Sequence, residues 1–280
     1  VEGRPRVEWP DRFGWMRMAF GLGQISGLGV AAFFAHRLTT GWTVVGMVVF
    51  AGALFGALRL PRLQARTRQR PLRRSRLAAL RATVGGRFGA LLLAWLFAMI
   101  GLMTFNNVVP LVLQASFGTS PADTSLYLLA GAVCATVLYP VCGRLCDRFS
   151  SACVLAAGAI ITFAAFVVMA VAGSAGLSSG AAIGSVCLVL IAAVYPLQYV
   201  GATLQAAKTA PGGEGAALGL FNSAVAAGAV IGAVGPSFLA HAVGYSALPW
   251  FSVGSLLIAA VFGVLLLMSG RRLRRAQPAS

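Results

Sequence analysis

The sequence predicts an all-α membrane protein, a polytopic helical bundle of about eight transmembrane helices. Hydrophobic residues make up 59% of the 280 residues and charged residues only 10%, whereas a soluble domain carries about 25% charged residues because its surface faces water. The mean hydropathy is correspondingly high, at +0.85. Eight stretches are apolar over close to the ~20 residues that a helix needs to cross the hydrocarbon core. The lipid bilayer is therefore the first partner that the sequence predicts.

The predicted spans fall into a group of two and a group of six. They cover residues 13–35, 41–60, 88–113, 126–143, 152–172, 181–204, 216–240 and 249–268. Between the groups, residues 61–87 are rich in arginine and poor in large apolar side chains, which is typical of a solvated linker. We therefore expect residues 1–60 to hold two helices of a first half, residues 88–270 to form a six-helix second half, and residues 271–280 to form a basic tail.

The formal net charge of +16 comes mainly from arginines in the linker and the tail. Both clusters follow long apolar runs, as juxtamembrane anchors do, so this charge does not indicate nucleic-acid binding. The same placement predicts the orientation of the spans, because loops on the cytoplasmic side carry the excess of Lys and Arg. The opposite side receives only Arg37. We therefore expect a multi-pass protein of a bacterial cytoplasmic membrane, with a cytoplasmic linker and both termini in the cytoplasm.

The first two spans resemble the last two. Residues Gly23, Gly27, Phe33, Ala35 and His36 recur 205 residues further on as Gly228, Gly232, Phe238, Ala240 and His241. An even number of spans separates the copies, so both cross the membrane in the same direction, as in a parallel repeat. Small residues that let helices approach closely are the alternative explanation. If the repeat unit is six spans, the first half is incomplete, and we expect four further helices before residue 1.

A loop motif stands between the fourth and fifth spans, with the sequence Gly143-Arg144-Leu145-Cys146-Asp147-Arg148-Phe149-Ser150. It resembles the cytoplasmic loop motif of the major facilitator superfamily, and nearly the whole chain is similar to helices five to twelve of that twelve-helix transporter fold. The family usually has Gly after the aromatic residue, where this chain has Ser150. The resemblance implies that Gly143, Arg144, Asp147 and Arg148 belong to a cytoplasmic gate, and a solvated ion pair is the alternative.

The resemblance also predicts which helices line a central cavity. In the family every third helix lies outside, which places the second, fifth and eighth spans at the periphery. Those three carry almost no strong hydrogen-bonding side chains, as expected where polar groups avoid lipid. We therefore expect substrate contacts from Asn106, Asn107, Gln114, Tyr195, Gln198, Tyr199 and Asn222. Of these, Asn107 and Gln198 are the strongest candidates, and hydrogen bonding between helices without a ligand is the alternative.

The predicted function is secondary-active transport by alternating access, with efflux as the preferred direction. An uncharged, partly aromatic cavity face favours a small neutral or amphipathic substrate. No Asp or Glu lies inside a span, so a carboxylate that couples transport to a proton, the candidate coupling ion, is expected in the four further helices. A non-transporting fragment, or one part of a split transporter, is the alternative. No enzyme activity, metal or cofactor is expected, because the spans hold no carboxylate pair, His-carboxylate cluster or metal-ligand set.

Overall fold

Six long helices form a bundle over the described residues from 86 to 276 in the computed structural model. They are α1 (Gly86–Phe117), α2 (Pro121–Phe149), α3 (Ser151–Ala175), α4 (Gly180–Thr209), α5 (Glu214–Val243) and α6 (Leu248–Ala276), with one 3-10 turn at Tyr245–Ala247. The structure describes residues 86–176, 179–209 and 214–276 and, before them, only residues 18, 22–23, 25, 46–48, 50–52 and 55. Each of the six helices contains a segment long and apolar enough to cross a membrane.

These helices coincide with the last six predicted spans. Each helix extends past its predicted span by one to eight residues at either end. The largest extension is in α6, so residues 271–276 of the predicted tail are helical. The spans predicted at residues 13–35 and 41–60, the linker up to residue 85 and the first copy of the repeat lie outside the described residues, apart from the few helical positions given above.

Glycines end α1, α3 and α5 at one end of the bundle. Gly118, Gly176 and Gly244 have φ angles of 67°, 60° and 82°, which glycine adopts without a steric penalty. The N–H of Gly118 donates to the carbonyl oxygen of Gln114 at 3.0 Å, in the manner of a helix C-cap. We call this side of the bundle the Gly118 end. The opposite side, where α2 and α4 end and α1, α3 and α5 begin, is the Ser150 end.

The turn between α2 and α3 consists of one residue, Ser150. Its φ of 78° and ψ of 145° form a combination that costs a non-glycine residue about 1–3 kcal/mol. The Oγ of Ser150 accepts the N–H of Cys153 at 3.4 Å and so caps α3. Ser150 therefore adopts a glycine-like backbone at the position where the resembled loop motif has glycine.

The helix α1 is the centre of the bundle. In the most apolar 18-residue segment of α1, 67% is buried, whereas the corresponding segments of the other five helices are 22–44% buried. It packs most extensively against α5 and α6, while α4 packs most extensively against α2 and α3. On α6, the hydroxyl of Ser252 donates to the carbonyl oxygen of Gly101 at 2.8 Å and that of Ser255 to the carbonyl oxygen of Phe97 at 2.6 Å. These bonds hold α6 on one face of α1 and leave the opposite face free to line a cavity.

The contact between α5 and α1 depends on glycines. A Cβ on Gly228 would lie 2.7 Å from the Cβ of Met99, and one on Gly232 would lie 2.8 Å from both the carbonyl oxygen of Ile100 and the Cβ of Met103. Real Cβ atoms essentially never come so close, and small residues allow this approach between membrane helices. In the second copy of the predicted repeat, Gly228 and Gly232 therefore seat α5 against α1.

Met18, a described residue of the first predicted span, contacts the bundle. Met18 packs against a cluster of buried side chains in the half of the bundle nearest the Ser150 end. The cluster consists of Tyr139, Cys142, Cys146, Val154, Val200 and Leu204. Met18 therefore contacts the part of the bundle where α2, α3 and α4 pack together.

Candidate functional site

A cavity of about 540 Å³ lies between α1, α2, α4 and α5. Its lining residues fall near the middle of each helix, from Met99 to Asn106 on α1 and from Leu188 to Tyr199 on α4. Its volume is within the range of small-molecule sites. Substrate sites of transporters built from structural repeats lie near the bilayer midplane. The cavity is therefore the candidate substrate site.

The outer helices take no part in this cavity. Neither α3 nor α6, the fifth and eighth predicted spans, contributes a described residue to its wall. The four lining helices all belong to the set in which the sequence places the amides and tyrosines. The described lining residues are Met99, Leu102, Met103, Phe105, Asn106, Leu128, Ala132, Ala135, Thr136, Tyr139, Leu188, Ile191, Ala192, Tyr195, Tyr199, Val225 and Ala229.

The polar groups of this cavity are uncharged. Asn106 is exposed at the wall, and its amide makes no hydrogen bond to another described residue. The hydroxyl of Thr136 donates to the carbonyl oxygen of Ala132 at 2.7 Å, which leaves its oxygen lone pairs as acceptors. No Asp, Glu, Lys, Arg or His is present among the described lining residues. The wall therefore offers an amide and hydroxyl groups on an apolar surface.

An aromatic cluster supports the part of the wall where α4 meets α1 and α5, and Tyr195 and Tyr199 are its members that line the cavity. The ring of Trp95 stacks on Phe221 at 5.5 Å between centroids and meets Tyr199 edge-on at 6.1 Å. Tyr195 lies 5.7 Å from Tyr199. The Oη of Tyr199 is 3.5 Å from the Oδ1 of Asn222, a long hydrogen bond. Such packing fixes the tyrosine rings and presents an aromatic surface to a ligand.

The structure brings three of the seven predicted binding residues to the cavity, namely Asn106, Tyr195 and Tyr199. Asn222 does not line it but reaches it through Tyr199. Asn107, one of the two strongest candidates from the sequence, lies outside the wall, and its amide donates to the carbonyl oxygen of Met103 in its own helix at 2.8 Å.

The other strong candidate, Gln198, lies between α3 and α4. It is 1% exposed, and its amide donates to the hydroxyl of Thr162 on α3. This is the arrangement that the alternative of helix–helix hydrogen bonding predicts. Gln114 is exposed near the Gly118 end of α1 and is not part of the wall.

The sequence predicted Asn106 but not Met99, Met103, Thr136 or Tyr139 as residues of the wall. Met99, Met103 and Asn106 follow the spacing i, i+4, i+7 on α1, and Thr136 and Tyr139 follow i, i+3 on α2. Such spacings place side chains on one helix face. They could have identified the cavity face of both helices, had methionine and threonine been counted along with the amides.

The predicted gate residues lie at the Ser150 end of α2. Gly143 is buried, whereas Arg144, Asp147 and Arg148 are exposed. The guanidinium of Arg148 lies 5.3 Å from the ring centroid of Phe149, a cation–π contact. Gly143 and Asp147 are one helical turn apart, next to the cluster that Met18 contacts. A role in gating remains a prediction.

Comparison with known proteins identifies the family. No curated protein matches the chain. The family model of the Major Facilitator Superfamily matches residues 5–214 and, in a second and overlapping alignment, residues 91–280. Together these matches cover nearly the whole chain, and the family consists of multi-pass membrane transporters, in agreement with the six described helices that are long and apolar enough to cross a membrane. The chain belongs to the major facilitator superfamily.

Proposed function

We propose that this transporter moves a small neutral or amphipathic molecule by secondary-active, alternating-access transport, and that the molecule binds in the cavity between α1, α2, α4 and α5. The observation that carries the proposal is the absence of any charged side chain among the described residues of the cavity wall. A charged substrate that leaves water needs a partner of opposite charge, because an unpaired buried charge costs several kcal/mol. Efflux and a proton as coupling ion belong to the same proposal, and they rest on the sequence pattern.

The wall of the cavity matches such a substrate in polarity. Met99, Met103 and Phe105 offer adaptable and aromatic apolar contacts. Asn106 can donate and accept hydrogen bonds at the same wall. A ligand with one flat apolar part and one or two hydroxyl or carbonyl groups would satisfy both surfaces.

The orientation that we propose places the Ser150 end in the cytoplasm. Arg87, Arg144, Arg148 and Lys208 lie at this end. At the Gly118 end, residues 110–130, 170–176, 179–185 and 236–256 contain neither Lys nor Arg. Cytoplasmic connections carry the excess of these residues in membrane proteins generally.

Asn106→Ala is expected to weaken ligand binding about tenfold, because a hydrogen bond at a desolvated site contributes about 1–1.5 kcal/mol. The probe is tritiated chloramphenicol, a neutral amphipathic compound, bound to the purified 280-residue chain in nanodiscs and measured by scintillation proximity. Tritiated tetraphenylphosphonium, an aromatic cation, should bind far more weakly.

The neighbouring residue provides the matched control. Asn107→Ala removes an identical side chain that lies outside the cavity, so the Kd of chloramphenicol should stay within a factor of two. The substrate proposal fails if Asn106→Ala and Asn107→Ala have equal affinities. It also fails if the cation binds saturably while chloramphenicol and a panel of other neutral amphipathic compounds do not.

We further propose that the loop motif at the Ser150 end gates the cavity. Met18 of the first predicted span packs against the buried cluster that includes Cys142 and Cys146, and these two residues lie within two helical turns of Asp147 on α2. If the Asp147 carboxylate makes an interaction in only one of the two states, that interaction shifts the equilibrium between them. At about 1 kcal/mol, this shift changes the population ratio about five-fold.

Asp147→Asn is therefore expected to increase access to the cavity from the Ser150 end about five-fold. The reporter is Ala132→Cys, on the cavity wall, in a background without the five natural cysteines. Its labelling rate by a membrane-impermeant methanethiosulfonate is measured from each side of sealed vesicles. Asp123→Asn, which removes a carboxylate at the Gly118 end, is the control. Equal labelling rates in Asp147→Asn and the parent would assign Asp147 to a solvated ion pair.

A further inference from the structure

A second opening in the bundle lies between α1, α3, α4 and α6, on the side away from the substrate cavity. It is a cleft of about 350 Å³. Its wall is formed by small and apolar side chains, with two amides. These are Leu91, Ala94, Trp95, Ala98, Ala152, Leu155, Ala156, Ala159, Ile160, Phe163, Gln198, Gln205, Leu256, Leu257, Ala259, Ala260, Gly263 and Val264.

The cleft opens sideways, toward the lipid. Ile160 on α3 and Leu257 and Val264 on α6 line it and are 68%, 56% and 53% exposed. Small residues such as Ala156, Ala159 and Ala260 leave the space between these two helices unfilled. Apolar walls without neighbours lose their dispersion contacts, so a membrane-embedded cleft of this kind is stabilised by an apolar occupant.

The length and depth of the cleft match one leaflet of the bilayer. On α3 its lining runs from Ala152 to Phe163, which is about 16 Å at 1.5 Å per residue. This is about half of the ~30 Å hydrocarbon thickness. The lining residues on all four helices, α1, α3, α4 and α6, lie in the half of the bundle nearest the Ser150 end. An acyl chain from that leaflet therefore has the required dimensions.

Basic side chains stand where the cleft reaches the Ser150 end. Arg87 lies one turn before Leu91 on the same face of α1, and its Nε is buried without a hydrogen-bond partner among the described residues. Lys208 lies three residues after Gln205 on α4. Its Nζ is 3.2 Å from the hydroxyl of Ser151, which itself donates to Gln205 at 3.0 Å. Two cations above an apolar cleft complement an anionic headgroup.

We propose that the cleft between α3 and α6 binds one anionic phospholipid, with an acyl chain along Ala156 and Ala260 and the phosphate at Arg87 and Lys208. The indole of Trp95 is 2% exposed and lines the cleft, and its N–H has no acceptor among the described residues. An ester carbonyl of the lipid is an acceptor of the kind that this donor lacks. The inference does not depend on the proposed substrate.

The test uses the purified 280-residue chain in mixed micelles with equal amounts of palmitoyl-oleoyl phosphatidylglycerol and phosphatidylcholine. Native mass spectrometry then measures the lipid retained after delipidation. We expect one phosphatidylglycerol per chain, preferred about tenfold over phosphatidylcholine. Lys208→Gln together with Arg87→Gln should bring this preference close to one, whereas Arg148→Gln, at the same end but on α2, should leave it unchanged.

The acyl-chain part of the proposal is tested by filling the cleft. Ala156→Phe should reduce retained lipid at least tenfold, and Ala157→Phe, at an exposed position outside the cleft, should not. Ala260→Phe on the opposite wall gives the same test if Ala156→Phe does not fold. Equal retention in Ala156→Phe, Ala260→Phe and Ala157→Phe would overturn the site. Equal retention of the two lipids by the parent chain would overturn the proposed preference for an anionic headgroup.

Discussion

Ala229→Trp is expected to abolish saturable binding of chloramphenicol while the bundle stays folded. Ala229 lies at the middle of α5 and, with Val225, forms the described part of the cavity wall on this helix. An indole at this position occupies the space that the ligand needs, and an aromatic ring of this size carries about 150–250 Å² of surface. The effect should exceed that of Asn106→Ala, because the whole ligand is excluded instead of one hydrogen bond being removed. The measurement is the same scintillation-proximity assay in nanodiscs.

The matched control for this change is Ala227→Trp. Ala227 is an exposed residue of the same helix that does not line the cavity, two positions before Ala229 and so on the far side of α5. Both variants should elute as monodisperse protein with the helical circular-dichroism signal of the parent. If Ala229→Trp binds chloramphenicol with the parental Kd, the ligand does not occupy the cavity between α1, α2, α4 and α5.

The spans of the second half could be predicted from the sequence because membrane insertion depends on the length of an apolar run. The ends of these helices could not be predicted in the same way. The helix α2 begins at Pro121, five residues before its apolar run, because Ser120 accepts the N–H of Asp123 at 3.1 Å and so caps the helix. The helix α6 continues through its arginines to Ala276. Capping and tertiary contacts decide such boundaries, and a hydropathy pattern does not record them.

For the candidate site, the sequence predicted the four helices that line the cavity but only some of the lining residues. Asn106 and Asn107 are adjacent, and one step along a helix turns a side chain by about 100°. The sequence shows that an amide lies on α1 near mid-membrane but not which of the two faces the cavity. For Gln198 the sequence could not show that Thr162, on a neighbouring helix, accepts from its amide. Such contacts depend on how the helices are rotated against one another.

Replacing Gly228 and Gly232 together by alanine is expected to lower the melting temperature of the bundle by several degrees. A Cβ on Gly228 would also lie 2.9 Å from the carbonyl oxygen of Leu96, so the backbones of α5 and α1 must separate to accept the new methyl groups. Overpacking of this kind costs about 1–3 kcal/mol at each position, and each kcal/mol lowers the melting temperature of a protein of this size by about 2–4 °C.

Gly235→Ala separates this effect from a general response of α5 to alanine. Gly235 belongs to the same helix, but a Cβ there meets no described atom within 4 Å, so alanine should leave the melting temperature unchanged or raise it slightly through its better helix propensity. The double replacement should also weaken binding of chloramphenicol, because Met99 and Met103, the side chains that the new methyl groups displace, form part of the cavity wall. If the double variant and Gly235→Ala have the same melting temperature, glycine is not required for the contact between α5 and α1. The glycines in the second copy of the predicted repeat then have no structural explanation.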